Sequence, residues 1–150
     1  KKWKVDIDSV IIDRAWWDFD STEDYDIVQV KKDVAELLSK LTGDVRVVAT
    51  GRGFHIHQLF QQPVKGVAIA RHLDRYQRRM AQGLKTLDGV GNPQKLTRIA
   101  NTYNVTRRRW SVNIDADKFL NNPLGYKIPS KPVKELRKYD PFFGMKNNSD

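Results

Sequence analysis

The stretch VRVVATGRGFHIHQLF, Val45–Phe60, decides the fold that the sequence predicts. A short β-branched run, Val45–Ala49, precedes the turn TGRG, and an alternating segment then runs from Phe54 to Phe60. A strand, a tight glycine-bearing turn and a second strand in this order are typical of a β-hairpin. Pro63 cannot donate the N–H that a central strand needs, so we expect it to end the second strand.

The turn allows three kinds of chemistry. Its glycines leave backbone N–H groups unobstructed and Arg52 adds a planar fork of donors, so Thr50–Gly53 could bind a phosphate. His55 and His57 lie on one face of the second strand and could together bind a metal ion. The third interpretation is an ordinary hairpin turn followed by histidines that bond to the backbone. A Walker loop is excluded because the sequence lacks GK[ST].

One or two strands are predicted ahead of the hairpin, from Lys4 to Val10 and from Ile11 to Phe19. A helix follows, because apolar residues recur at helical spacing from Ile27 to Leu41. Acidic residues just before this run suit the first turn of a helix. The expected N-caps are Ser21 and Thr22, and the expected stop is Gly43.

A second helix is expected from about Val64 to Gln82. One of its faces is apolar, and an arginine-rich face lies almost opposite. This arginine-rich face is either a solvated surface or a contact for a phosphate backbone. His72 has no partner in the sequence and is interpreted as a structural or surface residue. The apolar face comprises Ile69, Leu73, Tyr76 and Met80, and the arginine-rich face comprises Arg71, Arg75, Arg78 and Arg79.

The remaining pattern predicts short elements and a basic tail. Glycine and proline in GVGNP break the chain after a short strand. Together with the earlier elements this predicts an α+β fold, with a mainly antiparallel sheet bearing the acidic residues and helices packed against it. The expected division is a catalytic core over residues 1–122 and a proline-containing extension or linker over residues 123–150. The short elements are strands at Leu84–Leu87 and Trp110–Ile114, a helical turn at Gln94–Ile99 and a helix at Ala116–Leu120.

Charge is divided unevenly along the 150 residues, whose formal net charge is +9. Residues 1–45 carry 7 Lys and Arg against 11 Asp and Glu, whereas residues 46–150 carry 20 against 7. This division favours a polyanion partner beside a carboxylate-lined centre, and the alternative is a basic protein without such a partner. The chain has no cysteine, which excludes disulfides and thiolate zinc sites and suits an intracellular, cytoplasmic setting. No apolar run approaches the ~18 residues of a membrane span.

The acids in WWDFD are a second candidate site, although a DxD pair alone is common and need not bind a metal. Asp18 and Asp20 are two residues apart, so on a strand both carboxylates point to one face, while Trp17 and Phe19 point to the other. Two adjacent carboxylates repel each other unless a cation lies between them, and hard ions such as Mg²⁺ prefer carboxylate oxygen. The same spacing occurs without the aromatic flank at Asp6 and Asp8.

Further polar groups lie downstream. Asp88 follows an apolar stretch and could supply a third carboxylate, and Asp115 is its rival. RIANTYN carries groups that could contact phosphate, sugar or template. The run Arg107–Arg109 ahead of Trp110 is either an exposed turn or a charged, stacking surface for nucleic acid.

Taken in order, these segments resemble the motifs of the archaeo-eukaryotic primase superfamily, particularly the primase-polymerase domains of plasmids, viruses and mobile elements. The resemblance covers about residues 15 to 115. WDFD resembles the first motif, TGRGFHI the second and Leu87-Asp88 the third, while RIANTYN resembles a segment of the plasmid branch. Ala100 stands where a proline is common, and the motif order favours Asp88 over Asp115.

The resemblance implies a template-dependent nucleotidyltransferase, a DNA primase or polymerase. Asp18, Asp20 and Asp88 would be the catalytic carboxylates, holding two Mg²⁺ or Mn²⁺ ions. The expected partners are nucleoside triphosphates, a single-stranded DNA template or primer-template, and a helicase or accessory template-binding domain outside this chain. The setting would be plasmid- or virus-associated replication at the nucleoid, and an initial lysine suggests a fragment. The implied nucleotide contacts are Thr50, Gly51, Arg52, Gly53, His55 and Arg98, and the implied nucleic-acid contacts are Arg71, Arg75, Arg78, Arg107, Arg108 and Arg109.

Two other functions remain open from the sequence. The first is a rolling-circle-type nicking endonuclease, in which His55 and His57 would bind the cation and Tyr76 would be the nucleophile. No Tyr-x-x-Lys spacing accompanies Tyr76. The second is a basic nucleic-acid-binding module without catalysis.

Overall fold

The structure is a computed structural model that describes residues 10–93, 97 and 100–132. All strand pairs in these residues are antiparallel, and the six strands lie in the order β4-β1-β3-β2-β6-β5. This architecture confirms the predicted α+β class with an antiparallel sheet. The elements are β1 Ile11–Asp20, α1 Ile27–Lys40, β2 Asp44–Ala49, β3 Gly53–Lys65, α2 Val67–Met80, β4 Leu87–Val90, β5 Thr102–Asn104, β6 Arg109–Ile114 and α3 Ala116–Asn121.

The sheet has a helix-covered face and an acid-bearing face, because side chains alternate along each strand. On the helix-covered face, Trp17 of β1 packs against Tyr76 of α2, and Phe54 of β3 packs against Phe119 of α3. The apolar stripe of α1, which includes Val34, joins the same buried cluster. The acid-bearing face therefore carries the intervening residues of β1 and β3.

Gln77 fixes α2 to the centre of β1. Its side chain is fully buried, and its Oε1 accepts a hydrogen bond from Trp16 N at 3.0 Å while its Nε2 donates to Gly91 O at 2.8 Å. Its backbone oxygen accepts a bond from the Trp17 indole Nε1 at 2.8 Å. Because buried polar groups need partners, this network holds β1 firmly just before its acidic end.

Asp33 ties α1 to the segment that enters β4. This carboxylate is only 3% exposed, and its Oδ2 accepts bonds from Thr86 N and Thr86 Oγ1 at 2.8 and 2.6 Å and from Lys85 N at 2.9 Å. Its Oδ1 accepts a bond from Gln29 Nε2 at 2.9 Å. The helix and the strand that carries Asp88 are thus joined through one acid.

We predict that Asp33→Ala lowers the free energy of unfolding by about 3 kcal/mol, because it leaves several buried donors without an acceptor. Urea denaturation measures the change. Glu36→Ala is the matched control on the same helix, since Glu36 is exposed and pairs only with Lys40 among the described residues. Equal losses in the two variants would contradict the role of Asp33.

The start of α1 differs from the prediction. Asp26 is the N-cap, and its carboxylate accepts hydrogen bonds from Val28 N and Gln29 N at 3.1 and 3.2 Å. The predicted caps were wrong, because Thr22 instead closes a turn by accepting a bond from Tyr25 N. The preceding acids therefore lie before the helix. At its other end the helix stops at Lys40, and Gly43 lies in the connection to β2 with φ +83°.

The boundaries of β3 and α2 also differ. β3 continues through Pro63 to Lys65, so the prediction that this proline ends the strand was wrong. β2 stops pairing at Leu59, and the pairing with β1 is irregular between Ile12 and Arg14. Pro63 therefore lies where the ladder needs no regular N–H donor, as strand prolines usually do. The helix begins correspondingly later, at Val67.

The last described segments agree with the prediction in part. β6 and α3 match the expected strand and helix, whereas β4 begins at Leu87 and contains Asp88 rather than ending before it. β5 arises from part of RIANTYN, which was not predicted to be a strand. The helical turn predicted at Gln94–Ile99 lies outside the described residues except for Thr97, as do Lys4–Ser9 of the first predicted strand and residues 133–150.

Residues just beyond the predicted core boundary contact the core. The ring of Tyr126 packs edge-on against Phe119 at 5.9 Å, and its hydroxyl accepts a hydrogen bond from Asp115 N. The division at residue 122 stays a prediction. Within the described part of the chain, every helix is too short or too polar to cross a membrane.

Candidate active site

The register of β1 against β3 brings the acids beside the glycine turn. Asp18 lies opposite His55, and Asp20 lies opposite Gly53. His55 Nε2 is 3.1 Å from Asp18 Oδ1, and Arg52 Nη2 is 3.8 Å from Asp20 Oδ2. The two segments that the sequence singled out therefore form one cluster on the acid-bearing face.

A polar cavity of about 420 Å³ opens at this cluster. The end of β1, the glycine turn and the connection between β5 and β6 line it, so residues far apart in the sequence meet here. Carboxylates, cations and neutral hydrogen-bonding groups all face the same space. The lining residues are Asp18, Asp20, Thr50, Arg52, His55, Asn104, Thr106 and Arg107.

Asp20 carries an unsatisfied oxygen in this cavity. Its Oδ1 is buried and has no hydrogen-bond partner among the described residues, while its Oδ2 faces Arg52. A buried carboxylate oxygen without a partner is costly, and native structures rarely keep one without a ligand or a role. Oxygen of this kind suits Mg²⁺ or Mn²⁺, which take one or two carboxylates and complete their shell with water and substrate phosphates.

The glycine turn is held against the end of β1 by a close backbone approach. A Cβ at Gly53 would lie 1.8 Å from the carbonyl oxygen of Phe19, so no other residue fits this position without movement of the strands. Thr50 N donates to Gly53 O at 2.9 Å, and Ser21 N donates to Arg52 O at 3.3 Å. These contacts fix the backbone that carries the Arg52 guanidinium.

His55 is held from both ring nitrogens. Its Nε2 faces Asp18, and its Nδ1 lies 3.3 Å from the hydroxyl of Thr97. A neutral imidazole protonated on Nε2 can donate to Asp18 and accept from Thr97, so one tautomer satisfies both contacts. Sequence reasoning missed Thr97 and also Thr106, because isolated threonines in loops carry no distinguishing pattern.

Asp88 lies on the neighbouring strand, at an irregularity of the sheet. Asp18 pairs with Gly89 and Phe19 pairs with Leu87, so Asp88 is the extra residue of a β-bulge beside Asp18. It is exposed and does not line the cavity. No group of three Asp, Glu or His side chains that could hold a metal by themselves occurs among the described residues.

Asp115 has a structural role. Its carboxylate is the N-cap of α3 and accepts hydrogen bonds from Asp117 N and Lys118 N at 3.1 and 3.0 Å. The carboxylate of Asp115 is therefore occupied by backbone donors. Asp88, by contrast, lies beside Asp18 in the sheet. Arg98, the remaining predicted nucleotide contact, lies outside the described residues.

The predicted nucleic-acid contacts fall in three places. Only Arg107 lines the acidic cavity. Arg108 and Arg109 line a separate cleft on the other side of the glycine turn. The arginine-rich face of α2 points away from the core, on the side of the sheet opposite the acids, and Arg78 there pairs with Asp74. The exposed arginines of that face are Arg71, Arg75, Arg78 and Arg79.

His57 is buried and does not line the acidic cavity. It is 5% exposed, stacks on Trp16 at 6.2 Å, and its Nδ1 has no partner among the described residues. Burial, with a smaller contribution from the charges of Arg14 and His55, lowers its pKa to about 4. The imidazole is therefore neutral near pH 7.

We predict that His57 makes the protein less stable in mild acid. Unfolded chains protonate histidine near pH 6.5, whereas folded His57 stays neutral to about pH 4. The unfolded state thus binds the extra proton, and stability falls as the pH drops through this window, by on the order of 3 kcal/mol. Urea denaturation at several pH values from 7 to 4 gives the free energy of unfolding as a function of pH. His57→Phe should remove the part of the pH dependence that comes from this residue, whereas His72→Phe, on the exposed side of α2, should keep it. Identical slopes in all three proteins would contradict the prediction.

Tyr76 and the two histidines are not brought together. The Tyr76 hydroxyl donates to Gln58 Oε1 at 2.7 Å, and its ring packs against Trp17 on the helix-covered face. His55 lies on the opposite face of the sheet, beside Asp18. The arrangement needed for a tyrosine nucleophile beside a two-histidine cation site is therefore absent among these residues.

Comparison with known proteins adds no relative. No protein-family model matches this chain, and no curated protein matches it.

Proposed function

We propose that this protein is a template-dependent nucleotidyltransferase of the primase-polymerase kind. The observation that carries the proposal is the cavity in which two same-face carboxylates, one with a buried unpartnered oxygen, meet the glycine turn and its arginine. Nucleotidyl transfer needs positioned carboxylates for divalent cations and cationic donors for a triphosphate. The cavity combines both, and its polar walls suit a charged substrate better than an apolar one.

The donor set fits Mg²⁺ or Mn²⁺. Asp18 and Asp20 would hold the cations, and the resemblance assigns a third ligand to Asp88, which lies beside Asp18 on the neighbouring strand but outside the lining of the cavity. Two cavity carboxylates are enough for ions whose remaining ligands come from water and phosphate oxygens. When bound, a pair of such ions lowers the pKa of an attacking 3′-hydroxyl and neutralises the charge of the leaving pyrophosphate.

The residues of the turn would bind and orient the nucleotide. Arg52 presents a bidentate fork at the edge of the cavity, and Thr50 offers a hydroxyl beside it. The resemblance assigns a phosphate contact to His55, but its Nε2 already faces Asp18. The Nε2–H of His55 cannot donate fully to the Asp18 carboxylate and to a phosphate at the same time. The two contacts therefore compete.

Arg107 and Asn104 complete the opposite wall of the cavity. Their positions on the β5–β6 hairpin suit contacts to the phosphates or to the sugar of the nucleotide. We propose as partners nucleoside triphosphates and a single-stranded DNA template or primer-template, with a helicase or accessory template-binding domain supplied from outside these residues. The proposed setting is intracellular replication of a chromosome, plasmid or virus.

The testing experiment offers single-stranded template and labelled nucleotides with Mg²⁺ or Mn²⁺. We expect cation-dependent products longer than the primer or longer than a mononucleotide, with the preferred sugar read from parallel ribo- and deoxynucleotide reactions. A covalent protein–DNA adduct without extension would instead support a nickase. Salt-sensitive DNA binding without any turnover would support a non-catalytic binding module.

A further inference from the structure

A second cleft lies on the far side of the glycine turn. Thr50 and Arg52 face the acidic cavity, whereas the alternate residues Gly51 and Gly53 line this cleft. Its volume is about 550 Å³, larger than that of the acidic cavity. The start of α1, the β5–β6 hairpin and residues 128–131 form its walls. We call it the aromatic cleft, after Tyr103 and Trp110 on its hairpin wall.

The aromatic cleft presents an exposed aromatic ring with apolar neighbours. Tyr103 and Trp110 pair edge to face with ring centroids 5.5 Å apart, and Tyr103 is 46% exposed. Ile27 and Ile128, both exposed large apolar residues, face the same space. An exposed aromatic pair with aliphatic neighbours suits stacking of a planar group such as a nucleobase.

The charge of the cleft has one sign. Its lining contains four cations and no Asp or Glu, and none of these cations forms an ion pair within the described part of the chain. Arg109 is positioned by a hydrogen bond from its Nη1 to Gly51 O at 2.9 Å, and Arg108 has the unusual φ of +53°. Unpaired cations around an apolar floor suit a ligand that combines phosphate with base. The four cations are Lys31, Arg108, Arg109 and Lys131.

We infer that the aromatic cleft binds single-stranded nucleic acid, with one base stacked on the Tyr103–Trp110 pair and flanking phosphates on Lys31 and Lys131. A strand bound there would pass over the glycine turn, whose other side forms the wall of the acidic cavity. Identifying this strand as the template rests on the proposed function. The binding itself does not, because stacking and charge are independent of catalysis.

The phosphate contacts are tested by fluorescence anisotropy with a labelled twelve-residue oligothymidylate, without divalent cation or nucleotide. The double variant Lys31→Ala/Lys131→Ala should bind about tenfold more weakly at 0.1 M salt, and its salt slope should be smaller by about 1.4, from ~0.7 for each lost phosphate contact. The matched control is Lys32→Ala/Lys127→Ala, which removes the same charge from exposed positions on the same segments, outside the cleft. Equal weakening in both double variants would overturn the inference.

The stacking contact is tested separately. Tyr103→Leu should weaken binding about tenfold, whereas Tyr103→Phe should bind like the parent, because stacking needs the ring and not the hydroxyl. Oligonucleotide should also quench the fluorescence of Trp110, whereas the buried Trp16 and Trp17 should contribute little to the change; Trp3 lies outside the described residues. Loss of quenching in Trp110→Phe is therefore expected. Equal affinity for an abasic oligonucleotide would overturn the stacking model. Heparin binding that responds to the variants in the same way would also overturn it, because it would show a general polyanion surface.

The outcomes separate this inference from the proposed function. Cleft-dependent binding without nucleotide incorporation would leave the cleft in place and contradict the polymerase proposal. Nucleotide incorporation together with oligonucleotide binding that no cleft variant weakens would support the polymerase proposal and contradict binding in the cleft. Circular dichroism and thermal melting of each variant check that the fold is retained.

Discussion

Asp20→Asn should reduce nucleotide incorporation by about a thousandfold or more while changing the stability of the protein little. The buried Oδ1 of Asp20 has no partner within the described residues, so this oxygen is free to bind a ligand and adds no hydrogen bond to the fold. A thousandfold loss corresponds to about 4 kcal/mol of transition-state stabilisation, which is within the range of cation-dependent charge neutralisation. Because the lost ion pair with Arg52 is long and partly exposed, the free energy of unfolding in the absence of divalent cation should change by no more than about 1 kcal/mol.

The two measurements are single-turnover incorporation and urea denaturation in EDTA. Asp44→Asn is the matched control, because Asp44 is an exposed carboxylate on β2 of the same sheet that pairs only with Arg46 among the described residues. It should leave incorporation unchanged and alter stability by no more than about 0.5 kcal/mol. Asp18→Asn should lose activity as Asp20→Asn does. Full activity of either active-site variant, or a large loss of stability in Asp20→Asn, would show that these acids are structural.

Gly53→Ala should destabilise the protein by about 3 kcal/mol or more. The added Cβ would meet the Phe19 carbonyl oxygen at 1.8 Å, and this oxygen belongs to the backbone of a central strand that cannot move alone. The strands must separate where Asp20 and Arg52 face each other. Because a shift of about 1 Å in a reacting group costs on the order of a hundredfold in rate, activity should fall at least that much in the fraction that folds.

Gly83→Ala is the control for this prediction. Gly83 has a positive φ, +84°, which Gly53 does not, but nothing lies within 4 Å of its added Cβ. Its substitution should cost only the roughly 1 kcal/mol of a left-handed alanine. Thermal and urea unfolding of both variants give the comparison. A Gly53→Ala protein as stable as Gly83→Ala would mean that β1 and β3 are not this close.

The local pattern predicted the elements in which one strong signal dominates. The hairpin was predictable because β-branched residues flank a glycine turn, and α1 was predictable because its apolar residues repeat at helical spacing. The same-face position of Asp18 and Asp20 follows from the period of a strand alone. The sequence also predicted the face of α2 that packs on the core, because Leu73 and its neighbours lie opposite the arginines.

Features that depend on pairing between distant segments were not predictable from local pattern. The bulge at Asp88 exists only in the register of β4 against β1, and β5 is three residues long, which is too short to show a periodic pattern although Thr102 and Tyr103 favour strands. In the sequence, Arg107–Arg109 forms one basic run. In the structure, Arg107 lines the acidic cavity while Arg108 and Arg109 line the aromatic cleft, and the positive φ of Arg108 lies where the run is divided. Helix start signals were also ambiguous, since several capping residues precede Ile27, and in the structure Thr22 closes a turn while Asp26 caps the helix.

The position of α2 changes how its arginines bear on function. They lie on the side of the sheet opposite the acids, so a strand that occupies the acidic cavity cannot contact them without passing around the sheet. The cations closer to the cavity are those of the glycine turn and the β5–β6 hairpin. The aromatic cleft is separated from the acidic cavity by the glycine turn alone, so contacts to a template are better sought there than on α2.

Dependence of incorporation on the template base tests the central claim most directly. The protein is incubated with a primed single-stranded template, Mn²⁺ and one α-labelled nucleotide at a time, and transfer of label to the primer is measured. The account predicts that the nucleotide complementary to the next template base is incorporated well above the other three, and that chelation of the cation abolishes transfer. Absence of transfer with every nucleotide, or transfer that ignores the template base, would contradict the account.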